Sequence, residues 1–506
     1  MATQDIGQVV EDPIHDTVSL TESSGNVRLK RTRIFLVPGA VLATAALWFW
    51  GTGLHPVWWL TWLAPLPVLL VSPKLGRGRG FWLPALAWFL GSLNLWHYMT
   101  REIALPLPIV FLASAVPACF FGLAVLLFRR FILRGALWRA ALVFPASWVT
   151  YEYLNAIISP HSTFGSLGYT QMDFLPVLQV ASLVGIWGIS FCLFLLPSTM
   201  AAALRPRSDA TKKIRLATAV GLFLAAVIGY GAWRLMSAPA IDHWVRVGLI
   251  ATGADTTFPH EDGAGLHLLR LYSEKAGELA AEGARVIVMP EKIALVSDRV
   301  ILQVDAIYEA SSARAGTDMV VGLDRGTMTK RHNEARLYSS TGGPAAIYDK
   351  HHMVPGLEDA DQPGTAITTL EKPSGVWGIQ ICKDMDFPAL SRQYGAKGVG
   401  LLLVPAWDFT MDGWLHSRMA VTRGVESGFT VARAAKQGML TASDNRGRIL
   451  AQQDTADMRF AYLLANAPVQ HSDTLYVRWG DWFAWLNACG LLVLLFSTPW
   501  RMRFRS

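Results

Sequence analysis

Charged residues are scarce in this sequence. Asp, Glu, Lys and Arg account for 16% of its 506 residues, whereas about 25% is usual in a soluble globular protein. Hydrophobic residues account for 52%, and the mean hydropathy is +0.31. These values exclude an ordinary soluble enzyme and a disordered chain. Together with 20 Trp and 23 Phe, they predict a membrane protein with aromatic side chains at the bilayer interface.

Cysteine is also scarce. Three of the four cysteines lie inside apolar runs, where a cysteine usually behaves as a small hydrophobic residue; they are Cys119, Cys192 and Cys489. Only Cys382 lies in a polar stretch, so that stretch has no partner for an internal disulfide. No CxxC pair and no His/Cys spacing typical of a metal site occurs, and we expect neither a metal nor another cofactor.

Long apolar runs, in contrast, are abundant. Eight of them are long enough to cross a bilayer as helices, which takes about 20 residues each; they lie at about 33–52, 56–72, 81–98, 107–128, 138–157, 175–201, 214–236 and 480–500. We therefore predict a polar cytoplasmic tail at 1–32, a seven-helix transmembrane domain at 33–236, a separate domain at 237–478, and a C-terminal transmembrane helix with a short basic cytoplasmic tail at 479–506.

Lys and Arg alternate between the connections of these runs, which predicts the orientation of the helices. The connections at 53–55, 99–106 and 158–174 contain only Arg101 among Lys and Arg, whereas the other connections and the C-terminus are rich in both. Because an excess of Lys and Arg marks the cytoplasmic side, we expect residues 237–478 on the outer face. The net charge of +7 then mostly reflects topology, and we expect no nucleic-acid partner.

The segment at 237–478 has the pattern of an α/β domain. Short β-rich runs alternate with stretches of helical spacing at 264–283, 301–315 and 412–428, which is typical of layered α/β folds. The predicted strands lie at 245–250, 285–290, 318–323, 376–382, 400–406 and 429–435.

Reactive groups follow three of the apolar runs in this domain. Glu291 follows the run VIVMP, Lys350 follows AAIYD with Glu358 eight residues later, and Cys382 ends VWGIQIC. A thiol needs a base to become a nucleophile, and an oxyanion needs a positive donor. Singly, these residues are explained as a salt-bridge partner, a surface lysine and a buried strand cysteine. Their joint occurrence favours nucleophilic acyl transfer.

The order Glu291, Lys350, Cys382 in these contexts resembles the nitrilase, or carbon–nitrogen hydrolase, superfamily. The resemblance implies an αββα sandwich with a Glu-Lys-Cys triad. With seven helices before this domain and one after it, the chain resembles the apolipoprotein N-acyltransferases, which complete bacterial lipoprotein maturation. Further matching stretches lie at 163–191, 348–358 and 418–450.

The resemblance implies a role for each matching residue. Glu291 would be the general base, Cys382 the nucleophile that holds the acyl chain as a thioester, Lys350 the oxyanion donor, and Glu358 a supporting glutamate. The donor would be a phospholipid, for which we expect phosphatidylethanolamine, and the acceptor the amine of diacylglyceryl-cysteine in apolipoproteins. It also implies a monomer embedded in the bacterial inner membrane, with its catalytic domain on the periplasmic face.

The chain departs from the family pattern close to these residues. Lys383 and Asp384 replace a Tyr-Glu pair after the cysteine, and Lys292 replaces a small residue after the base. The stretch that carries a tryptophan in the family has only Phe258 as its nearest aromatic residue. We expect Lys383 to lower the pKa of the Cys382 thiol, and Asp384 to keep the carboxylate on a shorter side chain.

Other residues have two interpretations each. Trp407 and Trp414 form either a mobile arm that enters the lipid interface or ordinary packing at the rim of the site. Glu152, in the fifth run, is either functional or an interfacial glutamate. His351 and His352 are adjacent and point to opposite faces of an extended chain, which argues against joint metal binding; we assign His416 to the start of a helix.

Three other functions compete with the acyltransferase. A membrane-tethered amidase of the nitrilase type would resolve the thioester with water, and the departures around Cys382 keep this alternative open. A non-enzymatic scaffold conflicts with intact Glu291, Lys350 and Cys382. A transporter conflicts with the small number of charges in the membrane runs and with the large outer domain.

Overall fold

A computed structural model describes residues 35–206, 208–237, 240–253 and 258–497. The predicted polar tail at 1–32 and the basic end of the chain after residue 497 lie outside the described residues. The described chain consists of a helical part up to residue 237, a part with two β-sheets, and a last helix that packs against the helical part.

The helices of the first part follow the apolar runs. The described helices of this part are α1 (Phe35–Gly51), α2 (Leu66–Val71), α3 (Arg77–Ser92), α4 (Leu107–Leu133), α5 (Leu137–Ile158), α6 (Leu175–Leu178), α7 (Ala181–Val184), α8 (Ile186–Ala203) and α9 (Ala210–Met236). Their shared core is dominated by aliphatic and aromatic side chains, including Trp48, Phe121, Trp148 and Phe194.

Two predicted spans are not continuous helices. The run at 56–72 contains a 3₁₀ turn at Trp58–Leu60 and only the short helix α2, because Pro65 and Pro67 lack the amide hydrogen that a preceding helical turn requires. The run at 175–201 is divided into α6, α7 and α8. The last break falls at Gly185, whose φ of +67° lies outside the helical region.

Three described helices are long and apolar enough to cross a membrane by length and composition, namely α4, α8 and α9. Shorter apolar helices lie at Phe35–Gly51, Leu175–Val184 and Trp482–Phe496. The helical character of the predicted membrane region is therefore confirmed, and the number of spans stays a prediction.

The second part contains two sheets. The first has the order β13-β1-β2-β4-β5-β6, with β3 beside β4, and the second has the order β12-β11-β10-β9-β8-β7. The strands are β1 (Trp244–Ala251), β2 (Val286–Val288), β3 (Leu295–Val296), β4 (Asp318–Gly326), β5 (Arg331–Tyr338), β6 (Ala346–Asp349), β7 (Thr368–Lys372), β8 (Gly375–Ile379), β9 (Leu401–Trp407), β10 (Thr430–Lys436), β11 (Met439–Ser443), β12 (Ile449–Asp454) and β13 (Ala461–Pro468).

Helices cover the outer faces of both sheets. The first sheet packs against α10 (Asp262–Ala281) and α11 (Ile301–Ala315), and the second packs against α12 (Pro388–Ala396) and α13 (Gly413–Ser427). Between the sheets lies an apolar core that includes Val247, Leu249, Ile379, Leu403 and Val431. The result is the four-layered arrangement of the nitrilase-like fold that the sequence predicts.

Each predicted strand corresponds to an observed one, namely β1, β2, β4, β8, β9 and β10. Seven of the observed strands were not predicted from the sequence. Among them, β5 has the sequence RHNEARLY, whose polar residues hide its strand character although its second half is buried. Two helices were not predicted either, namely α12 and the short helix α14 (Leu475–Trp479), which precedes α15 (Trp482–Phe496).

The two parts of the chain meet at an apolar contact. Tyr153 of α5 and Trp187 of α8 share a buried cluster with Leu415 and Met419 of α13 and with Ala484 of α15. Because α13 directly follows the loop after β9, this contact fixes one wall of the site described next against the helical part.

Candidate active site

Strand ends bring Glu291, Lys350 and Cys382 together. Glu291 lies three residues after β2, Lys350 directly after β6, and Cys382 three residues after β8. The backbone amide of Glu291 donates to the carbonyl of Ala406 in β9, at 3.2 Å, and so joins the first sheet to the second. Glu291 and Lys350 are buried, and Cys382 is partly exposed.

Lys350 links two carboxylates. Its Nζ lies 2.7 Å from Oε1 of Glu291 and 2.8 Å from Oε2 of Glu358. Asn333, on β5, donates to the Oε1 atoms of both glutamates, at 2.6 and 2.8 Å. Burial alone would lower the pKa of Lys350, but the charges of Glu291 and Glu358 raise it well above its usual value. Lys350 is therefore a permanent cation.

One oxygen of Glu291 remains available. Both Lys350 and Asn333 bind Oε1, and within the described residues no hydrogen bond reaches Oε2. A carboxylate that is held by one oxygen and free at the other has the geometry of a proton acceptor.

Cys382 occupies a strained turn. Its φ is +39°, in the left-handed region that residues other than glycine rarely adopt. The thiol donates to the carbonyl of Trp407, with Sγ 3.3 Å from the oxygen. Desolvation, and then the charge of Glu291, raise the pKa of the thiol well above its usual value, although Lys350 and Arg433 act in the opposite direction. The resting nucleophile is a thiol.

Asp384 ties the turn of Cys382 to the segment that carries Lys350. Its carboxylate accepts from the backbone amides of His351 and His352, at 3.2 and 2.9 Å, and from the hydroxyl of Tyr348, at 2.7 Å. The side chain is fully buried. Asp384 thus holds the two loops in register.

The ammonium group of Lys383 reaches towards the helical part, and its charge still interacts with Cys382 and Lys350. The expectation that Lys383 lowers the pKa of Cys382 stays a prediction. Its Nζ lies 2.9 Å from Nδ1 of His161, in the loop after α5, and 3.8 Å from a carboxylate oxygen of Asp386. Burial lowers the pKa of Lys383 itself. Lys383 therefore connects the turn that carries Cys382 to the helical part.

Glu358 is held from several sides. Besides Lys350 and Asn333, it accepts from the amide of Val354, at 2.7 Å, and lies 2.9 Å from Nζ of Lys292. Burial would raise the pKa of Glu358, but Lys350 and Lys292 lower it to about 2. The two predicted glutamates therefore lie on opposite sides of one lysine.

The two predicted arm tryptophans have different surroundings. Trp407 ends β9 beside Cys382, and its ring lies 3.4 Å from Nζ of Lys436 and 6.1 Å from the ring of Phe258. Trp414 lies in the first turn of α13, with its ring 5.7 Å from that of His55 in the helical part. Of the two, Trp407 contacts Cys382, through its backbone carbonyl.

Glu152, His416 and the paired histidines lie outside the triad. Glu152 accepts from the amide of Leu167, at 2.8 Å, and holds the 3₁₀ turn there. His416 is in α13, as predicted, with Nε2 3.0 Å from Asp412. His351 contacts the carbonyl of Ala366, while the Nδ1 of His352 contacts Asp384.

Three groups at the site were not predicted from the sequence. Asn333 lies in the polar strand β5, and nothing in its local sequence marks it. Arg433 and Asp408 form a buried bidentate pair beside Cys382. Lys436 ends β10, donates to the carbonyl of Lys292 at 2.6 Å, and has a pKa lowered to about 7 by burial. Only Lys436 has a signal in the local sequence, because it is a lysine at the end of an apolar strand.

Two family models match the chain. Residues 39–199 match the family described as the apolipoprotein N-acyltransferase N-terminal domain, and residues 253–463 match carbon–nitrogen hydrolase. The first match covers most of the helical part, and the second covers the two sheets with Glu291, Lys350 and Cys382.

Individual relatives extend over most of the chain. An apolipoprotein N-acyltransferase of Geobacter metallireducens is 26% identical over 89% of this chain and 92% of its own length. One of Allorhizobium ampelinum is 26% identical over 79% of this chain and 78% of its own length. Among solved structures, an amidase from Nesterenkonia sp. aligns with 50% of this chain and 100% of its own, at 20% identity and a TM-score of 0.39.

Proposed function

Because the chain belongs to the apolipoprotein N-acyltransferase family, we propose that it transfers an acyl chain from a phospholipid to the N-terminal amine of diacylglyceryl-cysteine in lipoproteins. The observation that carries this proposal is the arrangement of Lys350 between Glu291 and Glu358 beside Cys382. It unites a base, a fixed cation and a nucleophile in one partly exposed site.

The first half-reaction acylates the cysteine. Glu291 takes the thiol proton of Cys382 while sulfur attacks the carbonyl carbon of the donor ester. A carbon–sulfur bond forms, and Lys350 stabilises the oxyanion. When the oxyanion collapses, the carbon–oxygen bond of the ester breaks, and the proton passes from Glu291 to the departing oxygen of the lysophospholipid. The acyl chain is then bound to Cys382 as a thioester.

The second half-reaction releases the chain as an amide. The acceptor amine attacks the thioester carbonyl and transfers its proton to Glu291, while Lys350 again stabilises the oxyanion. The carbon–nitrogen bond forms, the carbon–sulfur bond breaks, and Glu291 returns a proton to Cys382. Because an amide is more stable than a thioester, this step needs no further energy source.

The raised pKa of Cys382 makes Glu291 necessary. A thiol with such a pKa forms little thiolate at neutral pH, so deprotonation has to accompany attack on the ester. The free Oε2 of Glu291 and the fixed charge of Lys350 suit this concerted transfer.

The membrane arrangement is part of the proposal. Eight spans, with residues 33–236 and 479–506 in the bacterial inner membrane, would put the domain at 237–478 on the periplasmic face as a monomer. The alternation of Lys and Arg supports this orientation, and the apolar contact between α5, α8 and α13 supports a site that lipids reach from the bilayer. Phosphatidylethanolamine is the donor we propose.

Intact mass measurement tests the proposed function. Full-length protein in detergent is incubated with phosphatidylethanolamine, beside Cys382→Ser and the matched control Cys489→Ser, which changes an exposed cysteine of α15. We expect a hydroxylamine-sensitive gain of one acyl chain in wild type and in the control only. Addition of a diacylglyceryl peptide should then remove the chain from the protein and yield an N-acyl peptide.

Two results contradict this proposal. Absence of an acyl gain with phospholipids of every head group excludes the lipid donor. Release of free fatty acid at the same rate with and without the peptide favours the membrane-tethered amidase, in which water resolves the thioester.

A further inference from the structure

Lys292 has an unusual backbone and a buried charge. It follows Glu291 directly, its φ is +48°, and it is 5% exposed. A left-handed backbone is costly for any residue with a β-carbon, and glycine would avoid that cost. A lysine at this position therefore needs an explanation from its side chain.

The ammonium group of Lys292 lies among carboxylates. It donates to Asp361, lies 2.9 Å from Oε1 of Glu358, and lies 3.6 Å from Asp324. On Glu358, the same Oε1 atom also accepts from Lys350, at 3.0 Å, and from Asn333, at 2.8 Å. Lys292 and Lys350 thus bind one carboxylate from two directions.

The charges around Glu358 are nearly balanced. The carboxylates facing this cluster belong to Glu291, Glu358, Asp324 and Asp361, and the cations belong to Lys292, Lys350 and Arg331, with Cys382 and Lys436 at its margin. Burial weakens the screening of these charges by water. Burial already raises the pKa of Asp324 to about 7, although Lys292 and Arg331 act in the opposite direction. Without Lys292, four carboxylates would share two cations, so Asp324 would take up a proton first, and Glu358 would lose one of its two ammonium partners.

We propose that Lys292 is a positioning residue, which holds the Oε1 atom of Glu358 in place and so keeps Lys350 shared between Glu358 and Glu291. If Glu358 turned away from Lys350, Lys350 would pair with Glu291 alone and make it a weaker proton acceptor. This inference rests on the proposed role of Glu291 as the base for Cys382, and it does not depend on the identity of the acyl donor.

The test measures the reactivity of Cys382 as a function of pH. Full-length protein in detergent reacts with iodoacetamide, and intact mass gives the alkylation rate at Cys382, with Cys119→Ser/Cys489→Ser as the background because both replaced thiols are exposed. Lys292→Met removes the charge at similar length. We expect the midpoint of the alkylation profile to rise by about one pH unit, with Lys292→Arg close to the parent protein.

A double-mutant cycle separates this role from simple charge balance. Lys292→Met and Glu358→Gln should be non-additive, because both act on the same contact. Lys292→Met/Asp361→Asn should keep the shifted profile, since it restores the balance of charge but not the contact with Glu358. Full recovery in that variant, or an unshifted profile in folded Lys292→Met, would overturn the proposal.

The alkylation assay also separates this inference from the proposed function. Iodoacetamide needs no lipid, so a shifted profile in a protein that phospholipids fail to acylate would retain the role of Lys292 and reject the acyltransferase. Melting temperatures of all variants establish that each is folded.

Discussion

The Nζ of Lys383 lies 2.9 Å from Nδ1 of His161, across the boundary between the two-sheet part and the helical part. Lys383 directly follows the nucleophile, Cys382, in the sequence. Burial, and then the charge of Lys383, lower the pKa of His161 to about 4, so the imidazole is neutral and accepts from the ammonium. Thr163, two residues later, donates to the carbonyl of Asp386 in the same turn, at 2.7 Å.

Breaking this contact should slow acylation without unfolding the protein. We expect Lys383→Met to lower the acylation rate of Cys382 about tenfold, because a small displacement of a nucleophile is costly. Single-turnover mass measurement with His161→Ala and the double variant should give a coupling energy of about 1 kcal/mol. Lys397→Met, which changes an exposed lysine, is the control. Additive effects would argue against a functional link.

Removal of the Asp384 charge should destabilise the site. In Asp384→Asn, the amide group would face backbone amides and the hydroxyl of Tyr348, which are all donors. Loss of a buried, charged hydrogen-bond network in this way lowers the free energy of unfolding by about 3 kcal/mol. A lower melting temperature and a lower acylation rate are expected. Asp457→Asn, at an exposed position, should change neither; an unchanged Asp384→Asn would contradict the role of this residue.

Asn333 should matter for rate more than for folding. Asn333→Ala removes the donor that Glu291 and Glu358 share, and we expect the acylation rate to fall at least about tenfold, since donors that preorganise a reacting group have effects of this size or larger. Asn466→Ala, on the exposed side of β13, is the matched control. Equal acylation rates for the two variants would show that Asn333 has no role in acylation.

The lowered pKa of Lys436 predicts that the free energy of unfolding depends on pH. Its pKa is about 7 in the folded protein, lowered by burial, against about 10.4 in an unfolded chain. Between these values the unfolded state binds the extra proton, so the contribution of Lys436 to stability is unfavourable below pH 7 and improves as pH rises. Lys436→Met should therefore stabilise the protein most at or below pH 7.

Thermal unfolding at several pH values measures this effect. The advantage of Lys436→Met over wild type should shrink by about 1.4 kcal/mol for each pH unit above 7. A constant difference between pH 6 and 9 would mean that Lys436 keeps its proton throughout, held by the faces of Trp407 and Phe258.

The sequence predicted the elements whose signal is local. Apolar, β-rich runs marked the inner strands, and reactive residues directly after them marked Glu291, Lys350 and Cys382. The break before α8 was missed because it depends on one glycine, Gly185, within an otherwise apolar run. β5 was missed because the polar residues that hide it are the ones that serve the site, above all Asn333.

Contacts between residues that are distant in the sequence could not be predicted from the sequence. The partner of Lys383 is His161, which lies 222 residues earlier in the chain. Trp407 and Trp414 were grouped because they are seven residues apart, but a strand end and a helix start place them in separate environments. Asp384 was predicted as a supporting carboxylate, and its partners could be identified only from the folded chain.

The contact of Lys383 with His161 also has an evolutionary consequence. Residue 383 belongs to the carbon–nitrogen hydrolase region, whereas residue 161 belongs to the N-terminal region. A chimera that joins the helical region of one relative to the two-sheet region of another would combine two halves of this contact that were selected in different proteins. Positions 161 and 383 should therefore vary together among relatives, and a domain exchange should transfer both.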